Sequence, residues 1–393
     1  MIDSLYIAWR YIRYYRMRTA ILVACVTLIA VLPLALQLLL DESEGQLLSR
    51  AQSTPLLLGA RGSALDLVMN SLYFDDEAPE LISMQAADEI DATGLAIAVP
   101  LYARYQAQGF PIVGTALDYF DFRGLEIAQG RQLALLGECV IGADVAEGLG
   151  IGPGDSLMSS PETLFDLAGI YPLKMQVVGV LARSYTPDDR AILVDLKTTW
   201  IIQGLVHGHQ DLASVRDDGV VMSRTDLNVV ATAKLEEYTE ITPDNIDSFH
   251  FHGAAEDYPL TALLALPNDE RAGTILRGRY LDAESRYQLV LPGEVIDGLL
   301  ANIFRIKEVL DAVILVVGTA TALALILVFA LSLRLRQREI HTLFRIGGSR
   351  STIARLLAAE LAIIFVFSGV LCVTALVVVD QFSGDLVRSL FIG

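Results

Sequence analysis

The sequence predicts an α-helical membrane domain of three transmembrane helices plus a large mixed α+β extracytoplasmic domain inserted between helices 1 and 2. Three observations predict it: uncharged apolar runs at 19–40, 312–333 and 361–379, arginine-rich flanks at 1–18 and 334–360, and an acidic stretch of soluble composition at 41–311. The runs are 22, 22 and 19 residues long. About 20 helical residues at ~1.5 Å rise cover the ~30 Å hydrocarbon core of a bilayer. Apolar residues make up 53% of the 393-residue chain and the mean hydropathy is +0.48, yet the excess is gathered in those three blocks.

Residues 1–18 interleave Tyr6, Trp9, Tyr11, Tyr14 and Tyr15 with Arg10, Arg13, Arg16 and Arg18. That pattern suits a cytoplasmic, interfacial amphipathic segment in which rings sit at the headgroup level and guanidinium groups meet lipid phosphates, or else a plain juxtamembrane anchor. The run 19–40 exceeds the ~7–15 residues of a signal-peptide core, and no small-x-small site precedes Asp41, so it is expected to be an uncleaved first span.

Charge orients the chain. Segments 1–18 and 334–360 carry net +3 and +4, whereas 41–311 carries 18 basic against 42 acidic residues. By the positive-inside rule the N-terminus and the 334–360 loop are cytoplasmic, the large domain lies outside, and the 380–393 tail is extracytoplasmic. So acidic a domain excludes nucleic acid as its ligand. Cys139 is the only cysteine of 41–311, so no disulfide can form within that domain.

Within the outer domain, MQVVGVL (175–181) and AILVDL (191–196) read as strands. SMQAADEIDATG (83–94) and GADVAEGLG (142–150) have the spacing of short helices. Gly152 and Gly154 around Pro153 mark a tight turn with Asp155 as its cap. Residues 292–311 show helical periodicity after Pro-Gly and predict a stalk helix running into the 312–333 span.

No phosphate-binding G-x-x-x-x-G-K-[ST], Leu-Ser-Gly-Gly or G-x-S-x-G pattern occurs, so the chain is expected not to be an enzyme. The spans contain no charged residue that could mark an ion relay. Small residues such as Gly318, Ala320, Ala322, Ala324 and Gly369 permit close helix packing, hence a second copy or a related chain as neighbour. Two H-x-H pairs, His207/His209 and His250/His252, lie in the outer domain with Asp211, Glu256 and Asp257 nearby in sequence. On a strand, positions i and i+2 share a face, so each pair can offer two imidazoles to Zn²⁺ or Cu²⁺; solvated histidines are the plainer alternative.

The loop RQREIHTLFRIGGSRSTIARLLAAE resembles the signature of FtsX-like, MacB-type ABC transporter permeases through Arg336, Arg338, Glu339, Ile340, Leu343, Arg345, Gly348, Ser349, Arg350, Ile353 and Glu360, with Phe344 as a departure. The segments VGTALDYF (113–120), QGR (129–131) and CVIGADVAEGLGIGPGDSL (139–157) are similar to the MacB-like periplasmic core domain of that family. The family layout has three spans after the outer domain. Here two are found, so the expectation is either a three-span variant or loss of the fourth transmembrane helix, with LVRSLFIG (386–393) as its stub.

The resemblance implies a bacterial inner-membrane permease with a periplasmic domain, coupling ATP hydrolysis on a separate Mg·ATP-binding subunit to export or extraction of a substrate. It implies docking of that ATPase on 334–360, through Arg338, Glu339, Ile340, Leu343, Phe344, Arg345, Gly347, Gly348 and Arg350. It also implies two permease copies and an outer partner: an adaptor, a lipoprotein or a hydrolase. Regulation of a cell-wall hydrolase and a metal-binding membrane receptor are the alternative functions.

Overall fold

The computed structural model describes residues 2–160, 172–208, 221–224, 229–231, 239–251, 253–282, 285–335, 337, 341–342, 345 and 349–391. They form two compact units, one of residues 47–299 and one of residues 1–46 with 300–393.

The first unit is built on a mixed sheet. Its described strands are β1 (Leu56–Ala60), β3 (Ala96–Ala107), β4 (Phe110–Thr115), β5 (Ile127–Gly130), β6 (Glu138–Ile141), β7 (Ser156–Met158), β8 (Lys174–Leu181), β9 (Ile192–Asp195), β15 (Ala262–Pro267) and β16 (Tyr287–Val290), in the order β16-β1-β15-β3-β4-β9-β6-β8-β5 with β7 beside β8. The half from β16 to β4 is antiparallel, and parallel pairs enter at β4–β9 and β6–β8. Short two-stranded ladders complete it: β2 (Ile82–Ser83) with β14 (Pro259–Leu260), β10 (Val206–Gly208) with β13 (Phe249–Phe251), and β11 (Val221–Arg224) with β12 (Val229–Ala231).

Helices cover the sheet: α3 (Ala64–Tyr73), α4 (Gln85–Ala92), α5 (Asp118–Arg123), α6 (Ala143–Leu149), α7 (Leu196–Ile202) and α8 (Glu270–Arg279). Side-chain caps start three of them, with Ser63 accepting from Asp66 N at 3.2 Å, Asp195 from Lys197 N at 2.9 Å and Asp269 from Ala272 N at 2.6 Å. Each satisfies one of the orphan amides of a first helical turn. The core gathers Leu58, Ile90, Tyr102, Ile112, Ile141 and Val177 among others, all buried. The 83–94 and 142–150 patterns correspond to α4 and α6, and the two β-branched runs to β8 and β9. At the Gly-Pro-Gly turn the Asp155 carboxylate accepts from Gly152 N at 2.8 Å.

Gly130 and Gly142 are among the glycines of this unit with no room for a side chain. A Cβ on Gly130, whose φ is +79°, would lie 2.1 Å from the Val178 carbonyl oxygen, and one on Gly142 would lie 2.1 Å from that of Asp189. Next to Gly130, Arg131 pairs with Glu138, which also accepts from Ala134 N at 2.9 Å and Leu135 N at 3.1 Å, closing the loop into β6. Glu138 is held below the ordinary carboxylate range: burial pushes its pKa up, and the Arg131 and amide hydrogen bonds more than reverse that.

The second unit is helical. It contains α1 (Ile2–Tyr14), α10 (Arg350–Phe391), and most of α2 (Arg16–Gln52) and α9 (Pro292–Leu335). Among the described residues, 16–39 and 350–382 are long and apolar enough to cross a membrane by length and composition. The expected span 312–333 lies inside α9. Leu28, Leu32, Val316, Leu327, Phe365 and Val366 are more than half exposed, an apolar surface that requires an apolar surrounding. Helix α2 continues beyond the 19–40 run to Gln52. Glu360, at the end of the 334–360 segment, lies within α10.

Candidate functional site

Helix α2 ends in the first unit on a buried cation. Arg50 is one of few charged residues buried there, and every guanidinium nitrogen has a partner. Nε donates to the Leu72 carbonyl at 2.5 Å, Nη1 to Asp188 Oδ2 at 2.6 Å, and Nη2 to Asp188 Oδ1 at 3.1 Å and to the Tyr119 hydroxyl at 3.0 Å. The carboxylate is filled from its other side: Tyr119 Oη donates to Oδ1 at 2.7 Å and Thr186 Oγ1 to Oδ2 at 3.0 Å. A bidentate arginine–carboxylate pair completed by hydroxyl donors is the geometry in which a buried ion pair holds.

The electrostatics agree. Burial disfavours the charged form of Asp188, yet the Arg50 charge and the hydrogen bonds hold its pKa below the ordinary carboxylate value. Burial likewise opposes the Arg50 charge, and Asp188 and Tyr119 outweigh it, so Arg50 is raised. Burial, reinforced by Asp188, pushes the Tyr119 phenol up to about 12 and keeps it a donor. Arg123 lies over the rings of Phe122 and Tyr119 at 4.7 and 5.7 Å, and burial with the Arg50 charge lowers its pKa.

The neighbouring acid does a different job. Asp189 accepts from Ser184 N at 2.8 Å, Ser184 Oγ at 3.0 Å and Tyr185 N at 2.7 Å, and so fixes the 184–189 loop with exposed Tyr185 at φ +59°. Beside this loop, Arg183 reaches Asp144 at 2.6 Å and Glu147 at 2.7 Å on α6. Consecutive carboxylates thus tie the end of α2 on one side and an exposed aromatic loop on the other.

In the helical unit the start of α2 meets the start of α10. Arg18 Nη2 donates to Glu360 Oε1 at 2.8 Å, with the Glu360 side chain buried, and the guanidinium lies 5.6 and 5.9 Å from the Tyr11 and Tyr15 rings. Trp9 of α1 stacks on Phe367 of α10 at 6.0 Å, and Ser368 Oγ donates to the Val23 carbonyl at 3.3 Å. Ser349 caps α10: its hydroxyl accepts from Thr352 N at 3.2 Å.

Of the residues expected to receive an ATPase, Arg345 and Arg350 are described and exposed. Arg338, Glu339, Ile340, Leu343, Phe344, Gly347 and Gly348 lie outside the described residues, as do His209 and His252. For His207 the strand position is described, in β10, and it pairs with His250 of β13. Among the described residues no group of three or more His, Cys, Asp or Glu could hold a metal. The sequence reading missed both arginine–carboxylate pairs. One signal existed for the first, since Tyr119 falls in the VGTALDYF segment that carries the family resemblance.

An α+β domain carried together with apolar helices of membrane-crossing length defines a permease-type component of an ABC transporter once its family is known. A family model described as "MacB-like periplasmic core domain" matches residues 19–237, more than half of the chain, and the chain belongs to this family of FtsX/MacB-like ABC permeases. Its solved relatives include the periplasmic region of MacB from Actinobacillus actinomycetemcomitans, 11% identical over 64% of this chain and 95% of that one with a TM-score of 0.35. The extracellular domain of the noncanonic ABC-type transporter YknZ from Gram-positive bacteria is 12% identical over 60% of this chain and 98% of that one, with a TM-score of 0.32. No curated protein matches the chain. The family is membrane-embedded with a periplasmic domain, its permease components are not themselves catalytic, and it implies an ABC ATPase as partner.

Proposed function

We propose that this chain is the permease subunit of an inner-membrane ABC complex that passes ATP-driven motion to its periplasmic domain for export or extraction of a substrate. A separate ATPase binds Mg·ATP and docks on 334–360 on the cytoplasmic side, a second permease copy completes the membrane part, and an adaptor or lipoprotein engages the outer domain. The observation that carries the reading is Arg50: helix α2, which contains a membrane-length apolar run, ends on a guanidinium bound at all three nitrogens inside the α+β domain. A helix held so firmly at one end delivers displacement, where a flexible linker would lose it.

The experiment is purification of the full chain from its native membrane in mild detergent, followed by mass spectrometry, in parallel with an Arg345→Glu/Arg350→Glu variant. An ABC ATPase recovered with the unmodified chain and lost with the inserted variant supports the reading. Equal recovery with both overturns the docking assignment, and absence of any ATPase overturns the complex. A cell-wall hydrolase as the outer partner would replace transport by hydrolase control while leaving the coupling intact.

A further inference from the structure

Two arginines share one buried carboxylate. Beside the Arg50–Asp188 pair stands Arg123, the last residue of α5, and among the described residues nothing hydrogen-bonds its Nε or Nη2, both shut off from solvent. Those two nitrogens lie on one edge of the guanidinium, an edge that can take both oxygens of a carboxylate at once. A buried fork with neither donor satisfied is costly, because no bond offsets its desolvation.

Tyr119 links the three charges. Its ring lies 5.7 Å from the Arg123 guanidinium, while its hydroxyl donates to Asp188 Oδ1 at 2.7 Å and accepts from Arg50 Nη2 at 3.0 Å. Arg123 is thus one phenol away from the carboxylate. The fields agree with that placement: the Arg50 charge opposes the Arg123 cation, the Asp188 charge favours it, and Arg123 in turn helps to keep Asp188 ionised. The remaining charged groups around Asp188 are engaged elsewhere. Asp189 holds the Ser184 and Tyr185 amides, Arg190 lies over the Phe110 ring at 5.8 Å, and Asp144 and Glu147 of α6, which packs on the Pro187–Arg190 turn, pair with Arg183.

We propose that Arg123 is a reserve counter-ion for Asp188. Arg50 holds the carboxylate in this structure, and when Arg50 withdraws, Arg123 turns its Nε/Nη2 edge onto the same oxygens. One carboxylate accepts one such fork at a time, so the two arginines exchange. Asp188 is then never left buried and bare, and of the two former partners only Arg50 needs a new one. On the transport reading, and only on it, this exchange lets the end of α2 leave its seat without stranding the turn that carries Asp188.

The test measures the stability of the α+β domain in the full chain in detergent, so it needs no ATPase and its outcome is separate from that of the transport reading. Cys139, buried in β6, reports opening in a Cys25→Ala/Cys372→Ala background, read as its rate of reaction with dithiodipyridine relative to the unfolded chain. Arg123→Met alone should change that rate little, because relief from the Arg50 charge offsets the lost ring contacts. Arg50→Met should raise it. The double variant should react about tenfold or more faster than the product of the two single effects, since Asp188 then has no cation. Adding Asp188→Asn removes the stranded charge and should recover most of that excess. The pH dependence gives an independent signature. In Arg50→Met, Arg123 keeps the folded Asp188 pKa below its ordinary value of 3.8, so this residue's contribution is lost as pH falls through the lower native value. In the double variant burial raises that pKa, so protection relative to Arg50→Met should grow as pH falls. Single effects that simply multiply, an excess that Asp188→Asn leaves in place, pH dependences of the same sign in the two variants, or strong damage from Arg123→Met alone would each overturn the proposal.

Discussion

Helix α2 carries an arginine–carboxylate pair in each unit, and the two are built differently. Arg50 is buried, has a carbonyl, a carboxylate or a phenol as partner at each guanidinium nitrogen, and its partner Asp188 is completed by two hydroxyls. Arg18 is 29% exposed and meets a buried Glu360, with two tyrosine rings beside its guanidinium. A pair satisfied on every atom resists separation, because opening it strands a charge in a low-dielectric interior. In the second pair only the Arg18 guanidinium reaches the surface, where it can take up water, while Glu360 stays buried. The C-terminal end of α2 is an anchor closed on both partners, and its N-terminal end keeps one partly exposed partner.

The largest effect should come from breaking the anchor. Asp188→Ala leaves the Arg50 charge buried without its partner, which for such pairs costs about 3–5 kcal/mol. Cys139 is a convenient reporter, being buried with burial pushing its thiol up to about 12, so it reacts only when the domain opens. In a Cys25→Ala/Cys372→Ala background, Asp188→Ala should expose Cys139 at far lower denaturant. The compensated Arg50→Met/Asp188→Leu chain should recover much of the loss, and equal damage in single and double variants would show that the ion pair is not what holds the anchor.

The same pair sets an acid limb. Because the folded Asp188 pKa lies below its ordinary value of 3.8, the stability it contributes is fully present above that value and is lost as pH falls through the lower native one. Asp188→Asn, which cannot titrate, should flatten the pH dependence of Cys139 protection below about pH 4. An unaltered acid limb in Asp188→Asn would assign it to other carboxylates.

These contrasts mark what a sequence can show. The runs at 19–40 and 361–379, the periodicity of α4 and α6, the branched strands β8 and β9 and the Asp155 turn are local, written in residues a few positions apart. The two pairs are not local: Arg50 and Asp188 are 138 positions apart, Arg18 and Glu360 342. In the sequence Arg18 counts toward topology, Glu360 toward a loop motif and Asp188 toward an acidic surface, and only the fold gives each a partner. The cross-strand register of His207 with His250 was hidden for the same reason, since nothing local tells two short strands which residues will face.

At the N-terminal end of α2 the expected effects are smaller. Glu360→Gln keeps a hydrogen bond to Arg18 but removes its charge, and hydrogen bonds to charged groups are worth about 1.5–3 kcal/mol, so only part of that is lost. The chain should insert and fold normally while ATPase stimulation in the purified complex falls. The exchange Arg18→Glu/Glu360→Arg should restore more activity than either single change, and failure of that rescue would make the pair incidental to coupling.

The smallest change tests how α10 begins. Ser349 Oγ accepts from Thr352 N at 3.2 Å and lies 2.7 and 2.9 Å from the Ser351 and Thr352 hydroxyls. Ser349→Ala should therefore cost about 1 kcal/mol at the helix start, and Ser349→Asp, which caps equally well, should not. If the first turn of α10 must hold its shape for an ATPase to dock beside Arg350, Ala weakens co-purification and Asp restores it. An effect shared by both would point to the hydroxyl contacts with Ser351 and Thr352, and would place the requirement in the loop and not in the helix it starts.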